Sequence, residues 1–324
     1  MTKSELVMDM LKSLGINLNH VFAEDVAKIQ VHQNKVVGLH LVPGLKVTAD
    51  ELSDGIEAQI IIEKGKKIDK PIHICFGVLP EEGLQRVKLH ICAEEDSKAM
   101  ILAHCTFPNA RKVKHMMEAD IEIQPNARYA YFERHIHGPE GGVNVLPNAK
   151  ICVGEKAEFS TEFELIKGSA GNIEFNYEVT GKAHSKTEMT ARISGSHQDT
   201  IKLHETAYLM GEHSAGVIVS HIALRHQAKA EVENTLVAEG PYSRGHVDCK
   251  EIIVGDSWAK AVPIVLVKHP TAHVTHEAAI GSVDAKQLVT LMAHGLNEEE
   301  ATDVIIDGLL NKKQSWQKIL SENI

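Results

Sequence analysis

Basic charge is what this 324-residue sequence most clearly lacks: its formal net charge is −10, and aromatic residues make up only 4% of it. A nucleic-acid binder needs a basic stripe to neutralise phosphates and, for single strands, aromatic platforms on which bases stack. Neither is available, so no nucleic-acid partner is expected. No apolar run nears the ~18–20 residues that span a bilayer. The N-terminus shows no basic lead followed by an apolar stretch and a cleavage site. The expectation is a soluble, cytoplasmic protein with no membrane partner. Five cysteines (Cys75, Cys92, Cys105, Cys152 and Cys249) form no CxxC pair. That excludes a self-contained zinc knuckle, and the odd number argues against a disulfide framework. The phosphate loop G-x-x-x-x-G-K-[ST] is absent too, so any ATP chemistry would fall to a partner.

What is present is enough apolar material, 43%, to bury a sizeable core. Residues 1–19 carry a Thr2/Glu5 capping box and a Gly15 stop, which predict a short N-terminal helix. From about residue 20 to 281, helical periodicity gives way to short alternating runs such as "RYAYFE", "AEFSTEFELI", "NIEFNYEVTG" and "AEVENTLVAEG". Alternation of apolar and polar residues predicts half-buried strands. "QPNARYAYF" and "LPNAKICVG" echo each other, each with a Pro-Asn step, at Pro125 and at Pro147. The interval between them suits one coil of a stacked solenoid, or equally two hairpin turns built on Pro-Asn. Over residues 282–324 the pattern turns helical. Asp284 with Gln287 opens one helix that Gly295 closes, and Asn297 with Glu300 opens a second. The fold class expected is an all-β core with a helix before it and a helical, partner-docking segment after it.

The chemistry-bearing stretch is "AHVTHEAAIG", Ala272–Gly281. A zincin sets two histidines four apart on a helix with the glutamate between them. Here His273 and His276 are three apart, Glu277 follows the second, and the helix start comes later. On a strand the odd separation turns the two histidines to opposite faces. Cys249 precedes this stretch by two predicted strands, and if those are consecutive coils, Cys249 and His276 come near one edge. A thiol, an imidazole and a carboxylate form a partial ligand set for iron or zinc that a second chain could complete. The same trio could serve as nucleophile and base in a Cys–His hydrolase. "HIHG" puts His135 and His137 on one strand face, read as a surface pair. Glu212–His213 and the Lys64–Lys67 cluster are assigned no chemistry.

Several segments, in order and compatibly spaced, resemble the SufB/SufD family of iron–sulfur cluster assembly proteins. They are "AHCTFP" around Cys105, "YLMGEH", "VDCKEIIVGDSWAKAVPIV", and "THEAAIGSVDAKQLVTLMAHGLNEEEATDVIIDGLL". The resemblance implies a right-handed parallel β-helix flanked by helices. It implies a scaffold that assembles a transient, labile iron–sulfur cluster between two subunits, with a separate SufC-type ABC ATPase on the C-terminal helices. By the same resemblance Cys249 matches the interface cysteine of SufB, and His276 the histidine that SufD contributes. Glu277 matches the last glutamate of a Glu-His-Glu run whose first member is Thr275 here. Cys105 matches the thiol that accepts sulfur from a donor protein. Glu133 and His135 stand nearest to the tunnel residues of SufB, which are replaced in this chain. Because one chain holds candidates from both paralogues, a homodimer is favoured over a SufB/SufD-type heterodimer. The alternatives are a SufD-like structural partner that holds no cluster and a thiol- or metal-dependent hydrolase.

Overall fold

The computed structural model describes residues 23–310; the expected N-terminal helix lies outside them. The chain winds into a right-handed parallel β-solenoid of about 8 turns. One sheet holds β1 (Lys28–His32), β2 (Lys35–His40), β5 (Ile72–Gly77), β7 (Lys98–Phe107) and β9 (Arg128–His137). It continues through β11 (Glu158–Lys167), β13 (Lys186–Gly195), β15 (Ala215–Leu224), β17 (Arg244–Ile253) and β19 (His273–Gly281). The facing sheet holds β3 (Leu45–Glu51), β4 (Ile56–Ile62), β6 (Glu82–Ala93), β8 (Lys112–Ile123) and β10 (Val143–Val153). It ends with β12 (Asn172–Gly181), β14 (Thr200–Leu209), β16 (Lys229–Ala238) and β18 (Trp258–Val267). From β4 onward successive strands alternate between sheets, so each coil contributes one strand to each wall. The β1–β2 and β3–β4 pairs at the start are antiparallel, and the coils that follow stack in parallel.

Alternation along each strand sends every second side chain into the bore. In β14, for example, Ile201, Leu203, Glu205, Ala207 and Leu209 are buried and their neighbours half-buried. The bore is one continuous apolar cluster running from Ala27 to Cys249. The coil period is visible in the turns. Asp96, Asn126, Lys156, His184, His213 and Tyr242 adopt left-handed φ between 54° and 60°, one in each successive coil. Because each occupies the same place in its coil, their side chains stack: His184 on His213 at 5.3 Å between ring centroids, and His213 on Tyr242 at 5.0 Å. Glu212–His213 is therefore an exposed turn.

Two spacings read from the sequence are corrected by this period. Pro125 sits in the turn after β8, whereas Pro147 lies within β10 opposite Met117, so their echo is not a coil repeat. In the last coil Arg244 pairs with His273, a register that sets Cys249 opposite Ala278, not His276. Cys249 itself lies inside β17 rather than ahead of a strand.

The helical tail forms as its caps dictate. In α1 (Ala285–Ala293) the Gln287 amide donates to Asp284 Oδ1 at 2.7 Å, and Gly295 follows with φ +99°. Before α2 (Glu298–Leu310), Asn297 and Glu300 cap each other reciprocally at 2.9 Å. Helix α2 buries Ile306 and Leu310 against Ala223 of β15, with an Arg225–Asp303 ion pair beside them. Helix α1 has no buried residue.

Candidate functional site

Two groups of polar side chains stand out in the bore. The first lies between β7, β8 and β9. Cys105 and His135 are lateral neighbours on adjacent strands, Glu133 is two residues before His135 on the same face, and His115 reaches in from the opposite wall. All four are buried, and one donor atom from each lies within 4.8 Å of every other. Glu133 Oε1 is 2.6 Å from His135 Nε2 and accepts from the Cys105 thiol at 3.5 Å, and Cys105 Sγ is 3.8 Å from His115 Nε2. Phe107, at 5.2 Å from the His115 ring, and Phe163, at 4.7 Å from the His135 ring, close the group in apolar surroundings.

Outer partners orient the rings. The buried Gln85 amide nitrogen donates to the Gln33 and Gly77 carbonyls, which leaves its oxygen to accept from His115 Nδ1 at 3.0 Å. The Nε2 lone pair of His115 then faces Cys105. His137 Nδ1 donates to the Ser169 carbonyl at 3.0 Å, so its Nε2 accepts from His135 Nδ1 at 3.2 Å. The turn bearing Ser169 is possible because Gly168 has φ +89°; a Cβ there would stand 2.2 Å from the His137 carbonyl oxygen. Asp199 clasps the same turn, accepting from Ser169 Oγ and from the Ala170, Gly171 and Ser196 amides at 2.6–2.8 Å.

Burial sets the ionisation. It lowers His115 to about 3 and, with the Glu133 charge, pushes the Cys105 thiol well above its ordinary value. Burial alone would raise Glu133 as well. The His135 hydrogen bond and the charges of His135 and His115 together outweigh it and hold that carboxylate low. The result is a neutral thiol beside an ionised carboxylate hydrogen-bonded to His135. A thiol, two imidazoles and a carboxylate within one dry pocket are compatible with metal binding.

The second group lies near the C-terminal end of the bore. The Asn234 amide stands 2.6 Å from Ser220 Oγ and 3.4 Å from Cys249 Sγ; with its nitrogen turned to Glu205 at 3.3 Å and its oxygen to Ser220, both contacts are satisfied. Burial raises Cys249 to about 12, Glu205 to about 8 and Glu251 to about 7. Glu251, two residues past Cys249 on the same face, has no hydrogen-bond partner for either oxygen among the described residues. His276 and Glu277 are exposed on β19. The register sets His276 beside buried Val247, on the face that carries Cys249, and Glu277 beside Asp248 on the other face, where it pairs with Lys250 at 3.5 Å.

Cys105, Glu133 and His135 are thus brought together, whereas Cys249 and Glu277 of one chain face opposite sides. The His135–His137 pair read as a surface feature is buried, because the odd-numbered positions of β9 face the bore. His115, Gln85, Glu205, Ser220, Asn234 and Glu251 escaped the sequence reading. The available signal was polar residues in the inward phase of an alternating strand, as in "VKHMM" at His115.

Sequence comparisons converge on the same machinery. The model for the SUF system FeS cluster assembly, SufBD core domain, matches residues 79–309 and so takes in both groups. The chain is 37% identical over 283 residues to an iron–sulfur cluster assembly SufBD family protein of Methanocaldococcus jannaschii, covering 87% of this chain and 90% of the relative. It is 33% identical over 308 residues to one from Pyrococcus horikoshii, covering 95% and 94%. A second Pyrococcus horikoshii relative is 26% identical over 256 residues, covering 78% of this chain and 56% of its own length. With a parallel β-solenoid bearing buried thiols, imidazoles and carboxylates, this chain belongs to the SufBD family of iron–sulfur cluster assembly proteins.

Proposed function

We propose that this chain is a scaffold on which a nascent iron–sulfur cluster is assembled at the open C-terminal end of the solenoid, between two copies of the chain. The observation that carries this reading is the position of Cys249. It lies one strand in from the edge strand β19, on the face that also bears the exposed His276. Thiolate and imidazole from one copy, completed by His276 or Glu277 from another, make a mixed ligand set. Such a set holds a cluster less firmly than four cysteines and suits a cargo that must leave.

Features of the open end suit a covering chain, and because this one chain carries Cys249 together with His276 and Glu277, that cover is a second copy, a homodimer in preference to a paralogue. Edge strands β18 and β19 end the two sheets, and edges of this kind pair readily with another chain. Trp258, Leu266, Val267 and Ile280 are exposed on them. The helix pair α1–α2 exposes Val289, Met292 and Val304, a surface suited to a SufC-type ATPase, which would bring the ATP site. Cys105 is the sulfur acceptor in this reading, supplied by a sulfur donor protein. The unpaired cysteines suit the reducing cytoplasm. Among the described residues, no helix is long and apolar enough to cross a membrane.

The test is anaerobic reconstitution of the full chain with ferrous iron and sulfide, followed by visible absorption and iron per dimer. A labile chromophore lost in both Cys249→Ala and His276→Ala is expected. A chromophore that survives in both would move the cluster elsewhere. None at all, even with the ATPase present, would favour a structural partner that holds no cluster.

A further inference from the structure

We propose that Cys105, His115, Glu133 and His135 form a closed mononuclear site for a borderline-soft divalent first-row metal ion, held within one chain and separate from the open end. The donor set is four atoms of three chemical types, drawn from three consecutive strands and both walls. A tetrahedral shell with bonds of about 2.0–2.3 Å has donor-to-donor edges of roughly 3.3–3.7 Å. The observed contacts of 3.8, 3.5 and 2.6 Å straddle that range, and no donor pair exceeds 4.8 Å.

The surroundings are those of a ligand set. His115 is fixed in the tautomer that offers Nε2 by Gln85, and His135 is held through His137 and the Ser169 carbonyl. Second partners of this kind are what orient metal-binding imidazoles. Glu133 Oε2 is buried and has no hydrogen-bond partner among the described residues, a polar atom left over by the protein's own contacts.

Charge balance removes an obstacle. A thiolate, a carboxylate and two neutral imidazoles around a divalent ion sum to zero net charge, so the loaded group avoids the desolvation penalty that an unbalanced ion would meet in this apolar bore.

The experiment uses the full chain and cobalt(II) alone, without sulfide, supplied anaerobically both to folded protein and during refolding so that slow entry does not mask binding. About one cobalt per chain should survive desalting, with sulfur-to-cobalt charge-transfer absorption and tetrahedral ligand-field bands. Cys105→Ser should lose the charge-transfer band, and Cys249→Ser should keep it. Gln85→Met, which leaves every donor in place, should weaken retention roughly 10–100-fold, and a melting curve on each variant separates lost binding from lost folding. A band unchanged in Cys105→Ser, a band lost in Cys249→Ser, or no cobalt retained by folded wild type under either condition would overturn the proposal. Because Cys249 and sulfide take no part, failure of the cluster reading leaves this result standing, and the reverse holds too.

Discussion

Glu133 and Cys249 occupy one lateral column of the bore. Read along it, the column runs Ala103, Glu133, Phe163, Ala191, Ser220, Cys249 and Ala278. Two residues further on, a second column sets Cys105 and His135 at one end and Ile193, Ile222 and Glu251 toward the other. Along these two columns the bore is polar at two stations and apolar between them, where Phe163, Leu165, Ala191 and Ile193 are buried. The first station is sealed, with each ring nitrogen and the thiol engaged by another side chain or a carbonyl. It leaves one carboxylate oxygen, Glu133 Oε2, without a partner among the described residues, whereas the second station leaves one oxygen of Glu205 and both of Glu251, the latter one strand in from β19. Identical backbone geometry thus supports a closed ligand cage and an unfinished site. The difference lies in how many strands follow in the sheet: beyond β7 and β9, which carry Cys105 and Glu133, the sheet runs on through five more strands, whereas beyond β17, which carries Cys249 and Glu251, only β19 remains among the described residues.

The apolar partition is the sharpest point at which to break this contrast. Phe163→Ala removes a buried ring packed on His135 and Phe175 and should cost about 3–5 kcal/mol; denaturant unfolding with an unchanged m-value would measure it. It should also speed alkylation of Cys105, because the cavity links the two stations. A stable variant with unchanged Cys105 reactivity would mean the bore repacks.

The second station should make stability depend on pH. The unfolded chain releases the Glu205 proton near the ordinary 4.5, the folded chain only near 8, so stability falls as pH rises between those values. Glu205→Gln should flatten that slope and, near pH 9, exceed the parent by up to about 5 kcal/mol. Parallel slopes in parent and variant would show that the carboxyl finds solvent through the open end.

The clasp behind the first station is next. Asp199→Ala strands Ser169 and three backbone amides and should cost about 3 kcal/mol. Rescue by Asp199→Asn should be only partial, since the side-chain nitrogen cannot accept. A loss below about 1 kcal/mol would mean that water replaces the clasp.

The mildest probe leaves the fold intact. Exposed Cys152 should alkylate first and Cys105 last. Cys249 should react about tenfold faster than Cys105, given an adjacent sheet edge against the sealed surroundings of Cys105. Mass spectrometry of each cysteine peptide over time would rank them, and equal rates for Cys105 and Cys249 would abolish the contrast.

Alternation in "NIEFNYEVTG" and "AEVENTLVAEG" determined strands β12 and β16 and which of their residues face inward, because a period of two is a local property of the chain. The caps at Asp284 and at Asn297 with Glu300 likewise placed both helix starts, since a cap acts within one turn. The quoted segments around Cys105 and Cys249 carried the family. What the sequence alone did not decide was which coil lies against which. The coil is longer than the interval from Pro125 to Pro147 or from Cys249 to His276, and that length sets Cys249 opposite Ala278 and Cys105 opposite His135. His115, close to Cys105 in the chain but on the other wall, joins the cage only because the solenoid closes across the bore. Register and closure are long-range properties: a slip of one residue turns every inward side chain outward, and only the stacked structure selects the register that buries them.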